Sequence, residues 1–175
     1  MFNKLFFLVI VLWLFAFSEV QAQTLLKEDK IPKDLSITLE RTVCYGTCPD
    51  YKLNIQSDGT VNFEGRQYTK TQGKAAGKIT SAQLKQIISE FEKAKFFSLK
   101  EKYPDGKNSC PIVATDMPSV VLSIKIDGKE KMIKHYLGCF KNSEPPFEIF
   151  PSELFDLENK IDEIVETKRW IGERK

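Results

Sequence analysis

One histidine, His135, is all the imidazole in this chain. An acid–base site built on it would need a nucleophile and an orienting acid, and no serine or cysteine motif supplies them. An excess of one charge is also missing. Lys and Arg number 26 against 24 Asp and Glu, for a net charge of +2. So even a balance gives no electrostatic steering toward nucleic acid or anionic lipid. The longest apolar run is Leu5 to Phe17, and a bilayer span wants about 20 such residues. Cysteine is sparse, with four in all and none before Cys44.

The apolar run has a different use. Lys4 gives it a short positive lead, and Val20-Gln21-Ala22 follows with small residues spaced as at a cleavage site. This is the pattern of a secretory signal peptide over residues 1–22. No cysteine stands at the cleavage position, so no lipid anchor is expected. Residues 23–32 are polar and read as a flexible lead-in. Residues 33–172 are expected to form one domain, long enough to bury a real core. The protein is expected to be exported, to the periplasm or the outside, with no stable membrane span after cleavage.

Four cysteines in an exported chain read first as two disulfides. Pairing Cys44 with Cys48, and Cys110 with Cys139, keeps each bridge within one half of the chain, though two other pairings exist. The chain-entropy model assigns roughly 2 kcal/mol to the small loop and roughly 3.5 kcal/mol to the long one. Closing Cys44 onto Cys48 needs a sharp reversal, because an extended run would hold the Cα atoms too far apart. Gly46 can supply that reversal with a positive φ.

Ile37 and Leu39 alternate with Ser36, Thr38 and Glu40, and Arg41 or Val43 continues the buried side. This is a half-buried strand. Past the cysteine corner, Tyr51, Leu53 and Ile55 alternate in the same way. Asp58-Gly59 signals a hairpin of type I′, with Val61 and Phe63 on its far side. A further strand is expected over residues 67–71, with residues 73–77 as loop. Thr80-Ser81-Ala82-Gln83 is a capping box, and Leu84, Ile87, Ile88 and Phe91 form one helical stripe. Residues 100–118 fit no period and read as a long loop tied down by Cys110. Val120, Leu122, Ile124 and Ile126 alternate before a second hairpin at Asp127-Gly128, and the returning strand runs to Leu137. After a proline-containing loop, Leu154, Leu157, Ile161, Ile164 and Val165 mark a second helix, with Trp170 and Ile171 packing its end.

The expected fold is therefore α+β, in the order β-β-β-α-β-β-α. Two amphipathic helices cover one face of a single antiparallel sheet of about five strands.

Three readings of function follow. The first is a non-enzymatic, disulfide-stapled domain that binds a protein or an envelope component. It needs no cofactor, and Tyr45, Phe140 and Phe147 are its candidate contact residues. The second is a thiol-redox or copper-handling protein using Cys44 and Cys48, with His135 completing a soft-metal set. Against it, an alternating strand follows Pro49 where such proteins open a helix. A zinc site from Cys110, Cys139 and His135 lacks a ligand spacing. His135 itself reads as a partly exposed strand residue. The third is a hydrolase on the loop around Asp116, a residue that otherwise reads as a local hydrogen-bonding cap.

Several stretches carry a resemblance. They are Glu40-Arg41-Thr42, Cys44-Tyr45-Gly46-Thr47-Cys48-Pro49-Asp50-Tyr51 and Ser57-Asp58-Gly59-Thr60-Val61. Further on come Phe96-Phe97-Ser98-Leu99, Thr115-Asp116 with Pro118, His135-Tyr136, Leu157-Glu158 with Ile161-Asp162, and Arg169-Trp170-Ile171. On these the chain resembles a bacterial exported family catalogued only as a domain of unknown function, marked by a Cys-Tyr/Phe-Gly-Thr-Cys-Pro motif. The resemblance covers nearly the whole chain expected to remain after signal cleavage. It implies export and brings no known activity or cofactor.

Overall fold

The computed structural model describes residues 30–106, 109–140 and 150–172. The expected signal peptide, most of the lead-in and Phe147 lie outside the described residues.

Strand β1 (Ser36–Arg41) is the centre of a seven-stranded sheet. It pairs antiparallel with β2 (Asp50–Gln56) on one side and with β7 (Ser119–Ile126) on the other. Beyond β2 lie β3 (Thr60–Gln67) and β4 (Gly73–Lys78). Beyond β7 lie β8 (Lys129–Tyr136) and the two-residue β5 (Lys102–Tyr103), which pairs parallel with β8. The sequence alternation sets which face is buried. Ile37, Leu39, Tyr51, Leu53, Ile55, Val120 and Leu122 are each fully buried. The opposite face is polar, and Asn54 Nδ2 bridges Ser36 Oγ and Thr38 Oγ1 across two strands.

Helix α1 (Ser81–Lys93) opens on the expected capping box. Thr80 Oγ1 accepts from the Gln83 amide at 3.2 Å, and Gln83 Oε1 accepts from the Thr80 amide at 2.9 Å, which satisfies two otherwise orphaned donors. Its Leu84, Ile87 and Phe91 are buried. Helix α2 (Ser152–Val165) and the short α3 (Lys168–Ile171) follow the last strand. Gln83 Nε2 donates to the Ile164 carbonyl at 3.1 Å, tying α1 to α2. Trp170 stacks on Phe63 with centroids 5.0 Å apart, so α3 closes over the β3 end of the core. The helices thus lie on the buried face, as the stripes predict.

The sheet is larger than expected, and the strands not foreseen are one of low β propensity and others too short to show a period. Residues 73–77, expected as loop, belong to β4. Of residues 67–71, expected as a further strand, Gln67 ends β3 and the rest form with Gln72 the turn before β4, with Tyr68 at φ 54° and Gly73 at φ 77°. Gly65 makes this turn possible. A Cβ there would overlap the Thr71 carbonyl oxygen, so the chain folds back over a bare glycine. The Gly-Lys-Ala-Ala-Gly-Lys segment carries no strand signature of its own. It becomes a strand because β3 offers it a free row of backbone partners. The long segment 100–118 likewise contains β5 and β6 (Ile112–Val113). The latter pairs with β9 (Cys139–Phe140) in a second, two-stranded sheet.

The hairpins also differ from each other. At Asp127-Gly128 both residues have positive φ, 48° and 72°, as a type I′ turn requires. At Ser57-Asp58-Gly59 only Gly59 does, at φ 82°, and its amide donates to the Gln56 carbonyl at 2.9 Å. That is the three-residue loop with a left-handed third position, in place of the expected I′ turn.

Among the described residues, no helix is long and apolar enough to cross a membrane.

Candidate functional site

The alternation that buries Ile37 and Leu39 also buries Arg41, the last residue of β1. A charge on the core face is strongly unfavourable unless it is paired and hydrogen-bonded. Arg41 is both. Its Nε and Nη2 each lie 2.9 Å from Asp162 Oδ2 on α2. Nη2 also donates to Asn159 Oδ1 at 3.2 Å. Tyr51, opposite Arg41 in the β1–β2 register, accepts from Nε at 3.1 Å and donates to Asp162 Oδ1 at 2.7 Å. Thr167 Oγ1 completes the carboxylate shell at 2.9 Å from Oδ1. Burial draws the Arg41 pKa down, but the Asp162 charge outweighs it and holds the guanidinium charged, well above its ordinary range. Burial first, and then Asp162, push the Tyr51 phenol above its usual range, so it stays a donor.

A second buried pair lies one helical turn away. Glu158 and Asp162 stand at i and i+4 on α2, which puts both on one face. His135 from β8 and Glu158 are 0 and 1% exposed. Nδ1 of His135 lies 3.0 Å from Glu158 Oε1. The imidazole stacks on Phe150, with centroids 4.4 Å apart. His135 Nε2 and Glu158 Oε2 have no hydrogen-bond partner among the described residues. Burial raises the Glu158 pKa, and His135 opposes that rise. His135 is therefore a core residue and not the partly exposed strand position expected of it.

Above Arg41, the chain leaves β1 and makes the cysteine corner. Cys44 and Cys48 are bonded, with Cα atoms 5.5 Å apart, and Gly46 takes φ 145° to allow the reversal. The corner is anchored from the side. The Tyr45 amide donates to the Asp116 carbonyl at 2.7 Å, and Thr42 Oγ1 accepts from the Ser119 amide at 2.8 Å. The anchoring segment is itself held by Tyr136, whose hydroxyl donates to the Ala114 carbonyl at 2.7 Å and accepts from the Met117 amide at 3.1 Å. Asp116 contributes here through its backbone, at φ 65°. Cys110 and Cys139, bonded with Cα atoms 5.4 Å apart, fasten β6 to β9.

Between this corner and the sheet end is a cleft of about 580 Å³. Arg41 and Tyr51 line its inner end, and Tyr45, Tyr68, Pro118 and Leu137 are among its walls. Tyr45 is 92% exposed at its mouth. Tyr68 is half exposed across from it, on the turn that Gly65 permits. The volume is ordinary for a small-ligand pocket, and mostly apolar walls with a few polar groups are the usual composition.

The residues expected at a site are thus distributed. Tyr45, Cys44 and Cys48 meet at the cleft. Phe140 is half-buried on β9 and does not line it. Phe147 lies outside the described residues. His135 is in the core. Among the described residues, no group of three or more His, Cys, Asp or Glu side chains is placed to hold a metal ion. The sequence reading passed over Arg41, Tyr51, Glu158 and Asp162 as site residues. A signal for them was present: two carboxylates interrupt the apolar stripe of α2, while Arg41 and His135 occupy core-facing strand positions. Four charged or titratable residues on buried faces call for one another.

No curated protein matches the chain. Residues 35–165 match the model of a protein family described as Domain of unknown function (DUF6438), and the chain belongs to that family.

Proposed function

We propose that the protein is an exported, non-enzymatic binding domain whose ligand enters the cleft beneath the Cys44–Cys48 corner. One observation carries this reading: a cleft of about 580 Å³ opens beside two exposed tyrosines and ends on a buried, hydrogen-bonded arginine. Exposed tyrosines offer large rigid contact area at little entropic cost. The Tyr45 backbone is held by a disulfide and by its hydrogen bond to the Asp116 carbonyl, so little ordering of that corner is left for the binding step. Two disulfides suit an oxidising compartment. The test is a fragment screen on the nitrogen-15-labelled mature protein. Hits are expected to shift the amides of residues 41–48, 68 and 119. Hits that scatter over the surface, or gather elsewhere, sink the reading.

A second reading keeps the Cys44–Cys48 pair as a thiol-redox centre, because both cysteines line the cleft, where a partner thiolate has access. Equilibration with a glutathione buffer tests it. The redox reading requires this bond to be reduced at potentials where Cys110–Cys139 stays intact. A bond that resists reduction as firmly as its neighbour removes it.

A further inference from the structure

We propose that the cleft takes an apolar monocarboxylate. The carboxylate would sit against Arg41, and the apolar body would lie between Tyr45, Tyr68, Pro118 and Leu137. The inference rests on the reading of the cleft as a ligand site and adds the chemistry of the ligand.

The argument is one of charge and shape. Among the described residues, Arg41 is the only charged side chain lining the cleft. Its partner Asp162 is not among the lining residues, and it engages the guanidinium through Nε and Nη2. Asn159 also takes Nη2, and Tyr51 takes Nε. None of these contacts uses Nη1. The ion pair is neutral as a whole, but its positive member lines the cleft and its negative member does not. Such a fixed donor in a partly dehydrated site favours an anion over a neutral isostere. The Asp162 and Tyr51 contacts hold the guanidinium in place before a ligand arrives, so its orientation is not lost to side-chain entropy. One anchoring donor suits one carboxylate. The remaining walls are aromatic, proline and aliphatic side chains with the Cys44–Cys48 bridge and the hydroxyls of Thr42, Thr47 and Ser119, and so suit a body without further charge.

The carboxylate has two sources, a free small acid or the carboxyl terminus of a peptide. Three probes separate them: hydrocinnamate, hydrocinnamide, and N-acetyl-Ala-Ala-Phe with a free carboxyl group. Each is titrated into the labelled mature protein while amide shifts are followed. Hydrocinnamate is expected to saturate cleft residues at least about tenfold more tightly than its amide. Tighter binding of the tripeptide than of hydrocinnamate assigns the site to peptide termini, and the reverse assigns it to free acids. Tyr45→Ala should weaken acid and amide alike. Arg41→Lys, checked by its thermal melt, should narrow the acid preference. If that variant does not fold, the acid–amide contrast in the wild-type protein decides alone. Equal affinity of acid and amide at the cleft overturns the carboxylate assignment while leaving the cleft a binding site. Absence of cleft shifts with all three probes also overturns the assignment, and the fragment screen then decides the broader reading separately.

Discussion

Asp162→Ala is the substitution that tests the buried network most severely. It removes the one acceptor shared by Arg41 Nε, Arg41 Nη2, Tyr51 Oη and Thr167 Oγ1. The guanidinium of a residue that is 8% exposed is then left, among the described residues, with only Asn159 and Tyr51. Breaking a buried pair from one side costs about 3–5 kcal/mol, because the surviving charge remains in a low-dielectric site. With a denaturant slope of about 2 kcal/mol per molar urea, the midpoint should fall by roughly 1.5–2.5 M. That is a large share of a typical domain stability of about 5–15 kcal/mol. The assay is equilibrium urea unfolding followed by tryptophan fluorescence, since Trp170 packs on Phe63 beside Tyr51. The double variant Arg41→Met with Asp162→Leu removes both charges and should recover most of the loss, because the desolvation penalty goes with the ions. A loss below about 1 kcal/mol for Asp162→Ala, or a double variant no better than the single one, would show that Arg41 finds water when unpaired and that the network does not govern stability.

The Glu158 carboxyl gives a pH test. Burial raises its folded pKa above the ordinary glutamate value, so the folded state binds this proton more tightly than the unfolded chain does. That contribution is fully present below the unfolded pKa and is lost as pH rises through the folded one. Stability of wild type minus that of Glu158→Gln, measured by urea unfolding, should therefore decline as pH rises from about 4.5; a flat difference refutes the assignment. The two disulfides should rank by loop length: Cys110→Ser with Cys139→Ser should cost roughly 3.5 kcal/mol and Cys44→Ser with Cys48→Ser roughly 2, read as shifts in melting temperature, and an inverted ranking would contradict the chain-entropy account. Gly65→Ala should cost more than about 2 kcal/mol, because its Cβ meets the Thr71 carbonyl oxygen, which is backbone and cannot swing aside; a neutral result in a melting curve would mean that the turn over residues 68–72 is not fixed as described.

Much of the fold is legible in the chain because its signals are local. Alternation placed β1, β2, β3 and β7, a capping box placed α1, and an apolar stripe placed α2. The cysteine corner was legible for the same reason, since a bridge across four residues leaves the chain one way to turn. What escaped were elements with no signal of their own. Strand β4 is a run of glycine, alanine and lysine that pairs because β3 has an open edge. Strands β5, β6 and β9 are two residues each, too short for any period. The Ser57-Asp58-Gly59 turn was misread because Asp-Gly is compatible with two loop lengths, and strand register chose between them.

The site divides along the same line. The amino-acid sequence by itself placed Tyr45 at the tip of a stapled corner and left Arg41 as a candidate for the buried side of β1, whereas the burial of His135, Glu158 and Asp162 came only with the tertiary structure. Only the tertiary structure decided who pairs with whom. Arg41 and Asp162 are 121 residues apart, and no local rule connects them. They meet because α2 lays its acidic positions over the ends of β1 and β8, and a buried charge is tolerated only where its opposite is already in place. The cleft is likewise a product of assembly. The turn at Tyr68, the corner at Tyr45 and the strand end at Arg41 come from three parts of the chain, and the space between them exists only after the sheet has set their spacing.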